Sequence, residues 1–351
     1  MNLPDSATKA TLKRAQLHYA DDSRPGVTRR KTSSGFVFID KKGRIIRQAS
    51  AIKRFRGLAI PPAYKEVWIN PDPKGHIQAV GRDARGRKQY RYHPEWRAVR
   101  DSSSFERMIE FAKALPHIRR VSAQHMKLPG MPREKVLAAV VQLLEKTLIR
   151  IGNDEYARTN HSFGLTTLKN KHAKVRGSQI EFKFRGKHGF VHSIELSDPN
   201  IAKIVRKCQD LPGQEIFEYV DDGGARHDVK SDDVNEYLRE VTGVEGFSAK
   251  DFRTWIGTLL AAEALREFKE LTSQNEAKRQ VLEAIESVSK KLGNTKSICR
   301  KCDIHPVVLN SHLDGSFARH FKENASNLLR GEFKKLKPSE AAILVLLQKG
   351  L

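Results

Sequence analysis

In REKVLAAVVQLLEKTLIRIG (Arg133–Gly152), apolar Val136, Val140, Leu144 and Leu148 recur at every fourth position. That spacing predicts an α-helix with one buried stripe. SAKDFRTWIGTLLAAEALREF (Ser248–Phe268) opens with Ser-x-x-Asp and continues with a long apolar stripe, so a capped helix is predicted. Residues 275–293 read as a charged amphipathic helix, and the stretch after about 325 is basic with a helical pattern. In RDSSSFERMIEFAKAL (Arg100–Leu115) the serines resemble a cap, with Phe105, Met108, Ile109 and Ala112 at helical spacing. Other stretches have a period of two. SQIEFKFRGKHGFVHSIEL (Ser178–Leu196) alternates, turns at Gly-Lys-His-Gly and alternates again, a hairpin with Lys187 at its tip. GFVFIDKKGRIIRQ (Gly35–Gln48) reads as a second hairpin, and Ile60–His93, rich in Pro, Gly and short β-type runs, as a small sheet with exposed loops. No helical period is evident before about Trp96. The pattern predicts an α+β chain: a small β-rich domain over residues 1–101, a larger mainly helical domain over 102–325, and a basic tail over 326–351.

Composition sharpens this. Apolar residues are 39% of the 351, enough for a core in each domain. Lys and Arg number 64 against 41 Asp and Glu, a net charge of +23. Such an excess repels itself unless a polyanion neutralises it, and nucleic acid is the first candidate, ahead of a ribosomal or membrane surface. Three cysteines, Cys208, Cys299 and Cys302, argue against a disulfide framework and suit a reducing cytosol. The N-terminus has no apolar run resembling a signal peptide, and no segment has the apolar length of a membrane span. A cytosolic chain is expected.

Candidate chemistry is sparse. There is no GxxxxGK[ST] loop and no carboxylate cluster placed for two magnesium ions. Cys299 and Cys302, with His305 three residues on, are half of a zinc pattern without a second half, so neither metal nor cofactor is expected. GRDARGRKQYRYH (Gly81–His93) is more informative: Arg82, Arg85, Arg87, Lys88 and Arg91 surround Tyr90 and Tyr92. On a strand the two tyrosines share one face, so the cations suit phosphates while the rings reach bases or sugars. Arg150, Lys187 and Arg253 are scattered, and each alone reads as a surface charge. Arg253 stands near a helix start, where backbone N–H groups favour an anion.

These blocks, with IRIGNDEYARTNHSFGLTTLKNKH (Ile149–His172), KDFRTW (Lys250–Trp255) and LGNTKSICRKCDIHP (Leu292–Pro306), resemble the type IB DNA topoisomerases of the poxvirus and bacterial kind over roughly residues 20–320. The resemblance implies a catalytic domain of the tyrosine recombinase/topoisomerase IB type acting on double-stranded DNA without metal or ATP. A tyrosine attacks a phosphodiester, forms a 3′-phosphotyrosyl link and releases a 5′-OH that later attacks back. By matched position, Arg150 and Arg253 resemble the phosphate-clamping arginines, Lys187 the general acid, and Asn294 the His-or-Asn group. Tyr90, Tyr92 and Tyr156 resemble DNA contacts, with Arg82 and Lys88 beside them. A monomer clamping the duplex is implied, with a hinge near Ser102–Ser104.

One position departs. The nucleophile belongs nine residues after Asn294, where this chain has Asp303, and no tyrosine follows Tyr237. An aspartate is shorter than a phenol, repels a phosphate when ionised, and would form a hydrolysable acyl phosphate. The chain is therefore expected to bind DNA but to be severely impaired in cleavage. The alternatives are a non-enzymatic duplex clamp and a tyrosine recombinase. A recombinase normally has His-x-x-Arg where this chain has Lys250 and Arg253.

Overall fold

The computed structural model describes residues 6–33, 35–84, 86, 88–211, 213, 215–268, 273–319 and 335–350. The chain divides into two compact units, Met1–Ser103 and Ser104–Leu351. It is a mixed helix-and-sheet chain in which the larger unit is mostly helical.

The first unit holds a five-stranded antiparallel sheet in the order β2-β1-β3-β4-β5. Its strands are β1 (Val27–Thr32), β2 (Gly35–Ile39), β3 (Lys65–Ile69), β4 (Ile77–Arg82) and β5 (Lys88–Tyr92). Val27, Phe38, Val67, Ile69 and Ala79 meet Phe55 in its core. Phe55 belongs to α2 (Ala49–Gly57), and a further helix, α1 (Ser6–Ala15), precedes the sheet. Both helices break the expectation of no helix before Trp96. They are short, and α2 buries Phe55 alone, too little for a visible period. The expected Gly35–Gln48 hairpin is also corrected. β2 pairs with β1 before it, and beyond the turn only Ile45 bridges back to Ile39.

α3 (Pro94–Glu106) runs through Ser102–Ser104, so those positions lie within a helix and not at the start of one.

The second unit packs α4 (Met108–His125), α5 (Arg133–Thr147), α8 (Ser231–Thr242), α9 (Ala249–Arg266) and α10 (Gln274–Leu292) around one core. α6 (Asp154–Asn160) and α7 (Pro199–Asp210) connect these to the strands. α5 is buried on every side from Val136 to Val141, more than the single stripe expected, and Leu148 falls outside it as a left-handed cap. β6 (Ala173–Arg176), β7 (Gln179–Arg185) and β8 (Val191–Ser197) form an antiparallel sheet whose β7–β8 hairpin turns at Lys187–Gly189. β9 (Glu218–Val220) and β10 (Arg226–Asp228) make a small ribbon. After α10 come a short α11 (Lys296–Ile298), a π-turn over Cys299–Asp303, α12 (Pro306–Leu313) and α13 (Pro338–Gly350).

The stretch expected as a basic tail, 326–351, is described from residue 335, and there α13 buries Ala341, Ile343, Leu344 and Leu347 in this unit's core. Apolar AAILVLL requires that burial. Arg119 of α4 fastens it. Its guanidinium donates to Glu145 of α5 at 2.8 and 2.5 Å, and to Glu340 of α13 at 2.9 and 2.5 Å. Burial works against the Glu340 charge, yet Arg119 and the Lys337 amide bring its pKa below the ordinary 4.5. A depressed carboxyl adds stability above its unfolded pKa and loses it as pH falls. The helix should therefore loosen below about pH 4.5. Arg119→Met leaves two carboxylates without their counterion and should cost about 3 kcal/mol or more in urea unfolding. An unchanged midpoint would show the triad to be neutral.

Candidate active site

Five segments supply one cluster in the second unit. α5 ends at Leu148, whose φ of 59° stops the helix and turns the chain so that Arg150 points back into the domain. α10 ends at Gly293 with φ 56°, and the ring of His192 lies where a β-carbon would stand, at 2.6 Å. Only glycine fits both the left-handed backbone and that close approach. Asn294 follows directly. Its side chain bridges two segments: the Arg150 guanidinium donates to its Oδ1 at 2.5 Å, and its own Nδ2 donates to the Asp303 carboxylate at 2.5 Å.

Asp303 closes the π-turn, in which the Ile304 amide donates to the Cys299 carbonyl at 3.0 Å. One residue more in the hydrogen-bonded ring than in an α-helix rotates Asp303 inward. Asp303 is 4% exposed. Its Oδ1 lies 3.9 Å from Nε of Arg253. The Arg253 guanidinium also donates to the Leu148 carbonyl at 2.7 Å and to the Leu292 carbonyl. Two helix ends are thereby satisfied by one side chain, and the fork is locked. The Arg253 guanidinium is thus directed to the ends of α5 and α10 and away from the start of its own helix. There the Ser248 amide instead meets the Asp251 carboxylate at 2.8 Å.

Electrostatics follow from this crowding. Burial, then the neighbouring charge of Arg150, lowers Arg253 to about 10, against support from Asp303. Burial likewise lowers Arg150, partly offset by Asp303. Lys187 is exposed at the hairpin tip. Desolvation and then the charges of Arg150 and Arg253 still hold it below the ordinary lysine value. The Cys299 thiol is pushed up to about 12 by burial and then by Asp303.

Arg150, Arg253, Asn294 and Asp303 are thus brought together, with Lys187 near enough to feel the charges of Arg150, Arg253 and Asp303. His192 joins them without having been expected. It stacks on Phe184 with centroids 5.1 Å apart, and burial, then the charges of Arg150 and Arg253, lowers its imidazole pKa below the ordinary histidine value. The alternation of β8 gave its inward face, but not its neighbours.

The residues expected to contact DNA lie on β4, β5 and α6. In β5, Tyr90 and Tyr92 share a face and their rings stack at 5.9 Å. Arg82 and Lys88 are already engaged, Arg82 with Glu66 at 2.9 Å and Lys88 with Asp22 at 2.7 Å. Arg85 and Arg87 lie outside the described residues. Tyr156 is 41% exposed in the first turn of α6.

Two guanidiniums and a carboxamide around one point, with an ammonium in electrostatic range, have the chemistry to hold a phosphoryl group. The family described as eukaryotic DNA topoisomerase I, catalytic core, matches residues 93–330. The bacterial DNA topoisomerase IB N-terminal domain matches residues 35–83. DNA topoisomerase 1B of Acanthamoeba polyphaga mimivirus is 29% identical over 283 residues, covering 79% of this chain and 84% of that protein. DNA topoisomerase 1B of vaccinia virus (strain Copenhagen) is 24% identical over 259 residues, 72% of this chain and 77% of its own. The chain belongs to the type IB DNA topoisomerases, a family of isomerases.

Proposed function

We propose that this chain is a type IB topoisomerase scaffold that binds duplex DNA and, with Asp303 in the place of the nucleophilic tyrosine, is severely impaired in cleaving it. The observation behind this reading is the convergence of Arg150, Arg253 and Asn294 on residue 303, with Lys187 within reach of their charges. In the reaction proposed for an Asp303→Tyr chain, the tyrosine hydroxyl loses its proton to solvent as its oxygen attacks the phosphorus, and the P–O bond to the 5′-oxygen breaks. Lys187 gives its proton to that oxygen. Arg150 and Arg253 stabilise charge on the phosphoryl oxygens, and Asn294 orients the Arg150 fork. Religation reverses each step. The finer assignment of the second unit to the tyrosine recombinase/topoisomerase IB fold belongs to this proposal, as does a monomeric clamp, supported by basic residues in both units.

A non-enzymatic duplex clamp is the second reading, favoured by the burial of the Asp303 carboxylate among the cations. In that arrangement the carboxylate competes with a DNA phosphate. Asp303→Asn should tighten duplex binding roughly tenfold, about 1.4 kcal/mol, at fixed salt in fluorescence anisotropy. Equal affinities would remove the competition. Log affinity should also fall linearly with log salt, because phosphate contacts release counterions. Salt-insensitive binding would count against DNA as the ligand. Plasmid relaxation by an Asp303→Tyr chain decides between scaffold and plain clamp.

A further inference from the structure

We propose that Thr254, Gly257 and Thr258, on the helix that carries Arg253, are positioning residues that fix the backbone of position 303 relative to that guanidinium. The inference deepens the reading above and rests on it.

Spacings of three and four put these residues on one face of α9. Thr254 and Thr258 are 1% and 0% exposed. Each touches a different backbone group of the π-turn and its exit. The Thr254 hydroxyl is shared between the Lys250 carbonyl at 3.2 Å and the Cys302 carbonyl at 3.5 Å. A β-carbon on Gly257 would stand 2.4 Å from the Asp303 carbonyl oxygen and 3.3 Å from its carbon. The Thr258 hydroxyl accepts from the His305 amide at 3.0 Å while donating to the Thr254 carbonyl at 2.8 Å. Backbone groups before and after residue 303, the Cys302 carbonyl and the His305 amide, are therefore held by one rigid helix, the helix that also carries Arg253. Position 303 and the clamp share a common frame.

The chemistry of each contact sets what can replace it. The His305 amide needs an oxygen acceptor, so valine, with the same shape as threonine, fails where serine succeeds. The atom facing Gly257 is backbone oxygen, which cannot rotate away, so alanine must push the 302–304 segment off the helix. An in-line attack tolerates little of that, since about 1 Å of misplacement can cost roughly 100-fold in rate.

The test uses the full chain carrying Asp303→Tyr. Single-turnover formation of the covalent protein–DNA adduct is measured on a nicked suicide duplex, alongside affinity for uncut duplex and thermal midpoint. Gly257→Ala should slow adduct formation roughly 100-fold and Thr258→Val about tenfold, with Thr258→Ser within about threefold of the parent and affinities changed by less than about twofold. If Gly257→Ala does not fold, the Val and Ser pair at 258 decides. Unchanged rates in a parent that cleaves, or rate and affinity falling together without rescue by serine, overturn the positioning role. A parent that forms no adduct sinks the underlying reading instead, and does so with α9 unaltered.

Discussion

An Asp303→Tyr chain is expected to relax supercoiled plasmid in EDTA without ATP, while the parent chain binds the plasmid and leaves it supercoiled. The difference should be on the order of 10⁴-fold or more, the scale of losing a covalent nucleophile. The reason is geometric as well as chemical. Asp303 is buried, its carboxylate held by Asn294 at 2.5 Å and facing Arg253 at 3.9 Å. A carboxylate in that place neutralises the charges that should meet the phosphate. A phenol is longer, uncharged at neutral pH and able to reach outward from the same backbone. Religation would follow, because the 5′-hydroxyl returns along the same path. Agarose gels of time points, with and without denaturation, read relaxation and adduct together. A chain with tyrosine that still fails to relax DNA, yet binds it tightly, would leave the plain clamp as the function.

The second large effect concerns Arg253. In the Asp303→Tyr chain, Arg253→Ala should lower adduct formation by about 10²–10³, the range for removing one preorganised charge donor. Arg253→Lys should recover little. An ammonium cannot reproduce a planar fork that binds the Leu148 and Leu292 carbonyls while presenting Nε to the site. Some stability is lost too, because two carbonyls at helix ends lose their donor. A thermal midpoint that drops while the rate holds would assign Arg253 to structure alone. The pH profile adds a check. Arg253, lowered to about 10, keeps its charge at neutral pH. Lys187, lowered by desolvation and by both arginines, should lose its proton earlier than an ordinary lysine. Cleavage should therefore decline as pH rises through that lowered value. Lys187→Ala should flatten this limb. A limb that persists without Lys187 would move the general acid elsewhere.

Much of this molecule was readable from its residues. The alternation around RGKHG placed Lys187 at a hairpin tip, and the α10 and α9 patterns placed Asn294 and Arg253 near helix ends. Charge pointed to a polyanion, and the blocks around Arg150, Lys187, Arg253 and Asn294 pointed to one family. Local periodicity reports which side of a helix or strand faces inward, because burial is enforced residue by residue. It missed α2, where burial was slight, and in α5, a helix it did predict, it understated a burial that is total from Val136 to Val141.

The sequence by itself determined the chemical parts: the cations, the carboxamide, and a carboxylate where a phenol was expected. Only the tertiary structure decided that they meet. Arg150 and Asn294 lie 144 residues apart, and Arg253 and Leu148 lie 105 apart, yet each pair is hydrogen-bonded. Contacts of that span depend on how whole helices pack, and no window along the chain contains both partners. The same holds for Gly257, an ordinary helix residue in sequence, which folding sets against the carbonyl of Asp303.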